Sequence, residues 1–261
     1  MSTAVQGAQS FARSIAVLQT VADSNQALSR AELVKQSGLT RPTLYRIIAS
    51  LEAEGLIEAT CENRYRIGGR VVNLARKALA QNDVRKIAEP YLTRLRDATG
   101  ETVHLAIRSG DELVYIDKIE SQEVVRMTSA IGTRVAFHST AVGKAFLSAM
   151  SGQMADELIS KIDLPAHTEN TTTDRTALRA IVQRGRQNGY VCDGQENEPN
   201  IVCFGAAICD AVDRPVASIS VSIPLFRLED AKRYTAPLLE VVTEISGLLG
   251  CTDHSRAFGR C

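Results

Sequence analysis

Side chains that form hydrogen bonds recur on one side of a stretch that begins at residue 41. Thr43, Tyr45 and Arg46 lie there, Arg41 comes just before them, and small residues fill the spaces between. Hydroxyl and guanidinium groups bind base edges in the major groove of DNA, and arginine also binds phosphate. The chemistry that this stretch predicts is therefore recognition of double-stranded DNA.

A helix must carry these side chains on one face. Four apolar residues follow at the spacing of a helical stripe, opposite the polar arc: Leu44, Ile47, Ile48 and Leu51. Residues 29–32 form a capping box that opens a short helix ahead of them, and Gly38 is expected to end it. Thr40 is expected to cap the helix that follows. Two short helices around a glycine turn predict a helix-turn-helix.

A hairpin is predicted directly after this helix. Its strands are residues 56–59 and 65–67, on either side of a polar turn, and in this position a hairpin is the wing of a winged helix. Arg64 and Arg66 on the wing are expected to contact phosphate. The alternative is that these are ordinary packed elements, because amphipathic helices are common. The ordered combination of the parts favours DNA binding.

A second group of residues has the chemistry of a small-anion site. Residues 139–144 begin a predicted helix, and a helix N-terminus offers free N–H groups and the positive end of a dipole. A carboxylate there would accept hydrogen bonds from Ala141, Val142 or Gly143, and Gly143 would allow a close approach. This is no phosphate P-loop, because His138 occupies the position where its first glycine is required. The alternative is a plain helix cap.

Two serines extend this possible site. Ser220 and Ser222 are two residues apart on a predicted strand, so both side chains point to the same face. Two inward hydroxyl groups need hydrogen-bond partners, which a polar ligand would supply. The alternative is an exposed strand face, where serine is ordinary.

An enzyme is the competing class of protein. Cys203, His138 and Asp193 could form a Cys-His-Asp set, and Lys144 could act as a nucleophile or base. Nothing in the sequence places these groups within hydrogen-bond reach, and an enzyme leaves the helix-turn-helix unexplained. A DNA-binding protein that takes no ligand leaves the helix cap and the serines unexplained. We therefore predict a ligand-responsive DNA-binding regulator and no enzyme.

The distribution of charge supports two parts with different partners. The chain has 30 basic and 30 acidic residues, so it is neutral as a whole. Up to residue 80, ten basic residues against six acidic ones leave a net charge of +4, and the remainder therefore carries −4. A basic head on an acidic body suits one domain that contacts phosphate and another that does not.

The composition also limits location and cofactors. No run of about 18 apolar residues is present to span a membrane, and the first residues do not resemble a signal peptide. The six cysteines include no C-x-x-C pair and no zinc-ligand spacing, so we expect reduced thiols, no metal and no cofactor. A cytoplasmic protein is predicted.

The order of predicted elements indicates an α+β chain with two domains. We predict a winged helix-turn-helix at residues 10–69, a linker helix at 70–82 and an antiparallel-sheet domain at 83–250. Residues 1–9 and the tail from 252 to 261 are expected to be disordered or loose. An apolar stripe on the linker helix predicts a dimer contact; the alternative is that the helix folds back on its own wing.

Within the second domain, the period of the apolar residues changes from helical to alternating. Strands are predicted at residues 102–108, 113–120, 124–130, 135–137, 203–209 and 215–223. Helices are predicted at residues 84–99, 140–150, 155–162, 174–188 and 234–249. Strands with helices before, between and after them indicate a sheet covered by helices.

The chain resembles the IclR family of bacterial transcriptional regulators from about residue 10 to 249. The most specific stretches are TLYRIIASLEAEGLIE with NRYRIG, then FHSTAVGKAFLS, then GYVCDGQENEPNIVCFGAAICD. The resemblance implies a dimer or tetramer with an N-terminal winged helix and a GAF-like domain that binds a small, usually acidic, metabolite. It also places Asp193, Cys203, Ser220 and Ser222 across the pocket, with Met127 covering the ligand. From its residue type alone, Cys203 is more ordinary as a small buried side chain.

The predicted function is repression of a catabolic operon in response to a small carboxylate. The hydroxyl groups suit a sugar acid or a 2-keto sugar acid; an aromatic acid is the alternative, and a DNA-binding protein without a ligand is another. The expected partners are an operator in double-stranded DNA and a small organic acid, with no membrane. A homodimer would place two recognition helices in successive major grooves.

Overall fold

The computed structural model describes residues 9–80, 83–124 and 127–251. The chain divides into two compact units, Met1–Gln81 and Asn82–Cys261. The disorder predicted for residues 1–8 and for the tail falls outside the described residues, as do residues 81 and 82 of the predicted linker. Residue 9, also expected to be disordered, is the first residue of a helix.

The first unit is a winged helix-turn-helix, as predicted. Its elements are α1 (Gln9–Ala22), α2 (Arg30–Ser37), α3 (Arg41–Ala53), β1 (Ile57–Ala59), β2 (Tyr65–Ile67) and α4 (Gly69–Ala80). The apolar stripe of α3 is buried against α1 and α2, and Tyr65 of the wing is buried with it. Leu28, just before α2, exchanges two backbone hydrogen bonds with Tyr65. The helices and the wing therefore share one core.

The capping residues set the bounds of the two helices of the motif. The Ser29 hydroxyl accepts from the Glu32 amide and the Glu32 carboxylate accepts from the Ser29 amide, so the capping box is present. Gly38 ends α2 at φ 65°, a left-handed conformation that favours glycine. Thr40 occupies the N-cap position of α3 as expected, but its hydroxyl donates to the Thr43 hydroxyl at 3.0 Å and caps no amide.

The helix α4 keeps its apolar side chains exposed. Val72 is 66% exposed and Leu74 is 54% exposed. The amide of Arg70 donates to the Gly55 carbonyl, which fixes the start of the helix to the wing. Along the described part of α4 no side chain is buried, so its apolar stripe has not folded back on the wing.

The second unit is a six-stranded antiparallel sheet covered by helices. Its helices are α5 (Asp83–Thr99), α6 (Ala141–Ala149), α7 (Gly152–Lys161), α8 (Arg175–Asn188) and α9 (Lys232–Leu248). Its strands are β3 (Thr102–Ser109), β4 (Glu112–Ile119), β5 (Arg134–Val135), β6 (Val191–Gly194), β7 (Ile201–Cys209) and β8 (Pro215–Pro224). The sheet order is β5-β4-β3-β8-β7-β6, and a 3-10 turn, Leu225–Arg227, follows β8.

Helices α6 and α9 cover opposite faces of this sheet. Neighbouring residues Phe204 and Gly205 of β7 point to opposite faces. Phe204 stacks on Tyr234 of α9 with ring centroids 6.0 Å apart, whereas Gly205 lies against the backbone of Ala141 at the start of α6. A Cβ at Gly205 would lie 2.5 Å from the Ala141 carbonyl oxygen. The glycine thus lets the N-terminus of α6 lie directly on the sheet.

Two strand predictions differ from the structure. The described residues of the predicted strand 124–130 form no strand: Val124 is 96% exposed, and the carbonyls of Met127 and Ser129 accept from the Lys118 ammonium group instead of pairing in a ladder. Residues 125–126 fall outside the described residues. The short strand β6 was missed, and β5 covers Arg134–Val135, so that Phe137 of the predicted strand packs in the core beyond it.

Candidate functional site

The polar arc of α3 is open to solvent. Arg41, Tyr45 and Arg46 are exposed and Thr43 is half-buried, while the apolar stripe behind them is fully packed. No helix of the first unit's core covers this arc, because the core residues of α3 all belong to the opposite side. A surface of this shape, with two arginines, a tyrosine and a threonine, can enter a groove of DNA and donate hydrogen bonds there.

Arg30 joins this surface, although no sequence pattern selects it. Its Nε donates to the Tyr65 hydroxyl at 2.8 Å, and its guanidinium carbon lies 5.4 Å from the centre of the Tyr45 ring. One side chain of α2 thus contacts both the recognition helix and the wing. The contact depends on three separate segments meeting, which explains why no local pattern revealed it.

The two wing arginines have different surroundings. Arg66 is 67% exposed and pairs across the hairpin with Glu58, which leaves its guanidinium at the surface. Arg64 donates to the Ala27 carbonyl at 2.7 Å and to the Glu32 carboxylate at 2.8 Å, so it ties the wing to the capping box of α2. The expected phosphate contact suits Arg66 better than Arg64, because the Arg66 side chain is 67% exposed and that of Arg64 only 32%.

A cavity of about 190 Å³ lies between the sheet and the N-terminus of α6. Six of the eight predicted ligand residues line it: Met127, Ala141, Asp193, Cys203, Ser220 and Ser222. Seven lining residues carry a hydroxyl group: Tyr115, Thr128, Ser129, Thr133, Thr140, Ser220 and Ser222. His104 and Tyr115 also line the cavity, and no pattern in the sequence selected them, because they come from different strands and share no motif. Asn197, in the turn after β6, lines the cavity as well.

The other two predicted ligand residues lie behind the cavity wall. Val142 is buried in the apolar core beside α6. The Gly143 amide donates to the Thr140 hydroxyl at 3.1 Å, and a Cβ at Gly143 would lie 2.5 Å from the Ala136 carbonyl oxygen. The glycine is thus needed for close packing against the preceding segment and not for the approach of a ligand. Within the helix, the backbone amides of Ala141 and Val142 have no acceptor, as at any helix N-terminus.

The floor of the cavity is a chain of polar side chains on adjacent strands. The Cys203 thiol donates to the Ser222 hydroxyl at 3.2 Å, and that hydroxyl lies 3.3 Å from Nδ1 of His104. Nε2 of His104 is 2.7 Å from the Ser129 hydroxyl. Burial lowers the pKa of His104 to about 3, so the ring is neutral at pH 7. Among the described residues, the Ser220 hydroxyl has no hydrogen-bond partner, and Ser220 lines the cavity.

Asp193 is the acidic residue buried in this cavity. Its side chain is 3% exposed, and Oδ1 accepts from the amides of Glu196 at 2.7 Å and Asn197 at 3.4 Å. Burial raises the pKa of the Asp193 carboxyl to about 6, and the Lys144 ammonium group acts in the opposite direction. The pKa of Asp193 is thus shifted towards neutrality by burial.

Behind Asp193, a buried ion pair orders the turn that follows β6. Lys144 of α6 is fully buried and donates to the Cys192 carbonyl at 2.8 Å and to the Glu196 carboxylate. Glu196 also accepts from the Thr172 amide at 3.3 Å. A buried pair of this kind is costly to break, because the remaining charge would have no partner. The turn beside the cavity is thus held by two other segments, α6 and the loop at Thr172.

A larger open groove of about 930 Å³ lies elsewhere in the second unit, between the end of α6, α8 and α9. None of the predicted ligand residues lines it. The arginines at its edges already have partners: Arg186 donates to the carbonyls of Ser148 and Met150, and Arg214 pairs with Asp210. The smaller cavity is therefore the better candidate for a ligand site, because it has unpaired polar groups, and its smaller size does not decide the matter.

Comparison with protein families gives two matches that together span most of the chain. The IclR helix-turn-helix domain matches residues 10–60. The domain described as bacterial transcriptional regulator IclR C-terminal matches residues 76–247, which is more than half of the chain. The chain belongs to the IclR family.

Individual IclR-family proteins resemble the chain over nearly its whole length. The HTH-type transcriptional repressor AllR of Escherichia coli (strain K12) is 31% identical over 254 residues, which are 96% of this chain and 94% of AllR. The crystal structure of the Thermotoga maritima IclR is 30% identical with a TM-score of 0.75, covering 92% of this chain and 98% of that one. An IclR homolog from Microbacterium hydrocarbonoxydans, complexed with 4-hydroxybenzoate, is 22% identical with a TM-score of 0.77 and has the same coverage.

As a member of the IclR family, this protein is a DNA-binding transcriptional regulator with a C-terminal effector domain, and it is not an enzyme. Three of the residues weighed above for catalysis have hydrogen-bond partners of their own, while Asp193 pairs with Cys203 across neighbouring strands. Nε2 of His138 is bonded to the Pro165 carbonyl, Cys203 to Ser222, and Lys144 to Glu196. In the described ranges no cluster of His, Cys, Asp or Glu could hold a metal ion, and no helix is long and apolar enough to cross a membrane.

Proposed function

We propose that this protein is a cytoplasmic repressor of a catabolic operon, and that a small hydroxylated carboxylate in the cavity changes its affinity for DNA. A sugar acid or 2-keto sugar acid is the effector that the cavity favours. The observation that carries this proposal is the Ser220 hydroxyl, which lines the cavity without a partner in the described chain. A buried hydroxyl group without a partner is unfavourable unless a ligand or water supplies one.

The ends of the cavity support a ligand with two kinds of polar group. The backbone amides at the start of α6 and the helix dipole would hold a carboxylate near Ala141. The hydroxyl-bearing residues around the remaining wall, Ser220 and Ser222 among them, would bind the hydroxyl groups of a polyol. A cavity of about 190 Å³ suits one small acid rather than a large ligand.

An aromatic acid is the second candidate, and a specific observation favours it. The rings of His104 and Tyr115 stack with centroids 4.6 Å apart at the cavity wall and offer a surface to a flat ligand. The IclR homolog complexed with 4-hydroxybenzoate shows that a protein of this fold accommodates such a molecule. A DNA-binding protein that takes no ligand is the third candidate.

We propose that the DNA contacts are made by Arg41, Thr43, Tyr45 and Arg46 on α3, with Arg66 on the flanking phosphates. The support is the exposed polar arc and the exposed guanidinium on the wing. A homodimer or tetramer formed through α4 would place two such helices on a palindromic operator. A ligand alters DNA affinity only if it binds two arrangements of this assembly unequally.

The test is a thermal shift measurement with the full-length protein. The panel contains L-lactate, D-glycerate, D-gluconate, 2-keto-D-gluconate and 4-hydroxybenzoate, with glycerol as a neutral polyol. A ligand at 100 times its dissociation constant adds about 2.7 kcal/mol to the free energy of unfolding, which is a clear rise in melting temperature. We expect D-gluconate or 2-keto-D-gluconate to give the largest rise, and a combined Ser220→Ala and Ser222→Ala variant to abolish it.

The controls separate the three candidates. Ser160→Ala, on the exposed face of α7, removes a hydroxyl group far from the cavity and should leave the shift unchanged. A rise with 4-hydroxybenzoate alone would favour the aromatic acid. No rise with any compound, in a protein that still binds its operator, would favour the candidate without a ligand.

A further inference from the structure

The carboxylate of Asp193 lies in the same small cavity that is proposed to hold an acid. Oδ1 accepts two backbone amides, whereas Oδ2 has no partner among the described residues. Because Ala141 at the start of α6 and Asp193 line the same cavity of about 190 Å³, a carboxylate bound at the helix start would share that small space with Oδ2. Two negative charges in one small space repel each other in a site with little water.

No cation in the described part of the cavity is available to offset that repulsion. Its lining includes no lysine and no arginine. Lys144 behind it is paired with Glu196, and Lys118 donates to the carbonyls of Met127 and Ser129 and to Glu120. The helix N-terminus supplies a partial positive charge that suffices for one carboxylate and not for two.

We propose that the cavity binds a monocarboxylate together with one proton, which Asp193 shares with the ligand through an O–H···O⁻ hydrogen bond, and that it rejects dicarboxylates. This inference rests on the proposed acid-binding function. In the balanced step, Asp193 takes up one proton from solvent on Oδ2 as the ligand carboxylate enters the cavity. The Oδ2–H group then donates a hydrogen bond to that carboxylate. A second carboxylate on the ligand would need a second proton and has no second helix terminus.

The groups around Asp193 leave it as the one that titrates near neutrality in the described cavity. On the adjacent strands, His104 is neutral above a pKa of about 3, and burial raises the pKa values of Cys203 and Tyr115 above their usual range. On its own strand, burial raises the pKa of Cys192 to about 11. From α6, Lys144 faces Asp193 as half of the pair with Glu196, and Glu198 at the cavity mouth is exposed to solvent.

The test measures binding and proton uptake by titration calorimetry with D-gluconate and 4-hydroxybenzoate as probes, at pH 5 and pH 8. Both acids stay ionised over this range. If Asp193 must be protonated in the complex, its pKa of about 6 makes binding about 100-fold weaker at pH 8 than at pH 5. Titrations at pH 7.5 in phosphate and in Tris, which differ in ionisation enthalpy, should show an uptake of about one proton per ligand.

Three controls define the role of Asp193. Asp193→Asn replaces the shared proton with an amide N–H, so it should bind the acid at pH 8 and lose the pH dependence. Glu198→Gln removes an exposed carboxylate from the same lining and should keep the pH dependence of the wild type. Galactarate, the dicarboxylate that matches gluconate in length, should bind at neither pH.

The outcomes distinguish this inference from the proposed function. Equal affinity for the acids at pH 5 and pH 8, or strong binding of galactarate, would overturn the inference of a shared proton. The proposal that the protein senses an acid would remain. Binding of D-gluconamide or 4-hydroxybenzamide without binding of either acid would overturn the acid-sensing proposal itself. If none of the acids or amides binds at either pH, both are rejected.

Discussion

At the scale of single residues, Arg30 shows how an exposed side chain can connect three elements. It starts α2, stacks against Tyr45 of α3 and donates to Tyr65 of the wing. A cation over an aromatic ring at an exposed site contributes about 0.5–1 kcal/mol. That is small beside the stability of a domain, but it is enough to favour one orientation of Tyr45, which we propose to contact DNA.

We therefore expect Arg30→Gln to disturb the orientation of Tyr45. The operator for this test is selected from random DNA by the wild-type protein. Loss of about 0.5–1 kcal/mol should weaken its binding roughly two- to five-fold. The variant should lose preference at the same base positions as Tyr45→Ala, with the salt dependence unchanged. Fluorescence anisotropy on operator variants measures both quantities.

The matched control is Lys35→Gln, which removes an exposed positive charge from the same helix without touching Tyr45. If Arg30 instead contacts phosphate, Arg30→Gln would weaken binding uniformly across sequences and lower the slope of affinity against salt by about one. That pattern would contradict the positioning role.

At the scale of elements, the start of α6 is held by two glycines that face backbone on both sides. Gly143 lies against the segment 136–137 and Gly205 of β7 lies against Ala141. Backbone atoms cannot move aside as a flexible side chain can, so a Cβ at either position displaces the helix. The wall of the 190 Å³ cavity at the start of α6 depends on this close packing.

Gly143→Ala should consequently lower the free energy of unfolding by about 1–3 kcal/mol, the usual cost of overpacking. It should also enlarge or distort the cavity and weaken any ligand found by the thermal shift panel. Urea denaturation measures the first effect and titration calorimetry the second.

Gly194→Ala is the matched control, because a Cβ there meets nothing within 4 Å and the backbone conformation is not left-handed. Equal stability of the Gly143→Ala and Gly194→Ala variants would show that the segment before α6 adapts freely, contrary to this account.

The elements also show how far the sequence determines the fold. Long periodic segments such as the apolar stripe of α3, and local chemistry such as the capping box at Ser29, were predicted and are present. Alternation failed at 124–130, since an ammonium group from Lys118 takes the carbonyls that a neighbouring strand would have taken. A contact of that kind lies between segments and leaves no local period to detect.

The same limit applies to the cavity. The helix start could be selected from its local residues. The two serines could be selected because their spacing puts both on one face of a strand. His104 could not, since its importance comes from the pairing of β3 with β8, which brings it opposite Ser220 and within reach of Ser222. Its neutral state likewise follows from burial that only the folded chain provides.

At the scale of the whole molecule, two compact units have separate tasks and must be coupled for a ligand to regulate DNA binding. A ligand shifts an equilibrium only by the difference in its affinity for two states. In the proposed dimer these states are arrangements of the two copies, because one recognition helix reads only half of a palindromic site. The surface through which the copies would assemble is therefore part of the proposed mechanism.

The exposed stripe of α4 is the surface that we expect to mediate this assembly. Burying a leucine side chain contributes about 1.5–3 kcal/mol. In a dimer with two-fold symmetry, each residue of the contact occurs twice. Leu74→Asp should therefore raise the dissociation constant of the dimer by about 100-fold or more. Light scattering at micromolar protein should show a lower mass, and operator affinity should fall with it.

Asn73→Asp introduces the same charge at the neighbouring exposed position of α4, outside the apolar stripe, so its mass and DNA binding should stay close to those of the wild type. If light scattering shows the same lower mass for both variants, the charge near α4 controls assembly and the apolar stripe does not. An unchanged mass for Leu74→Asp would move the contact to another surface, and α4 would then connect the two units without joining two copies.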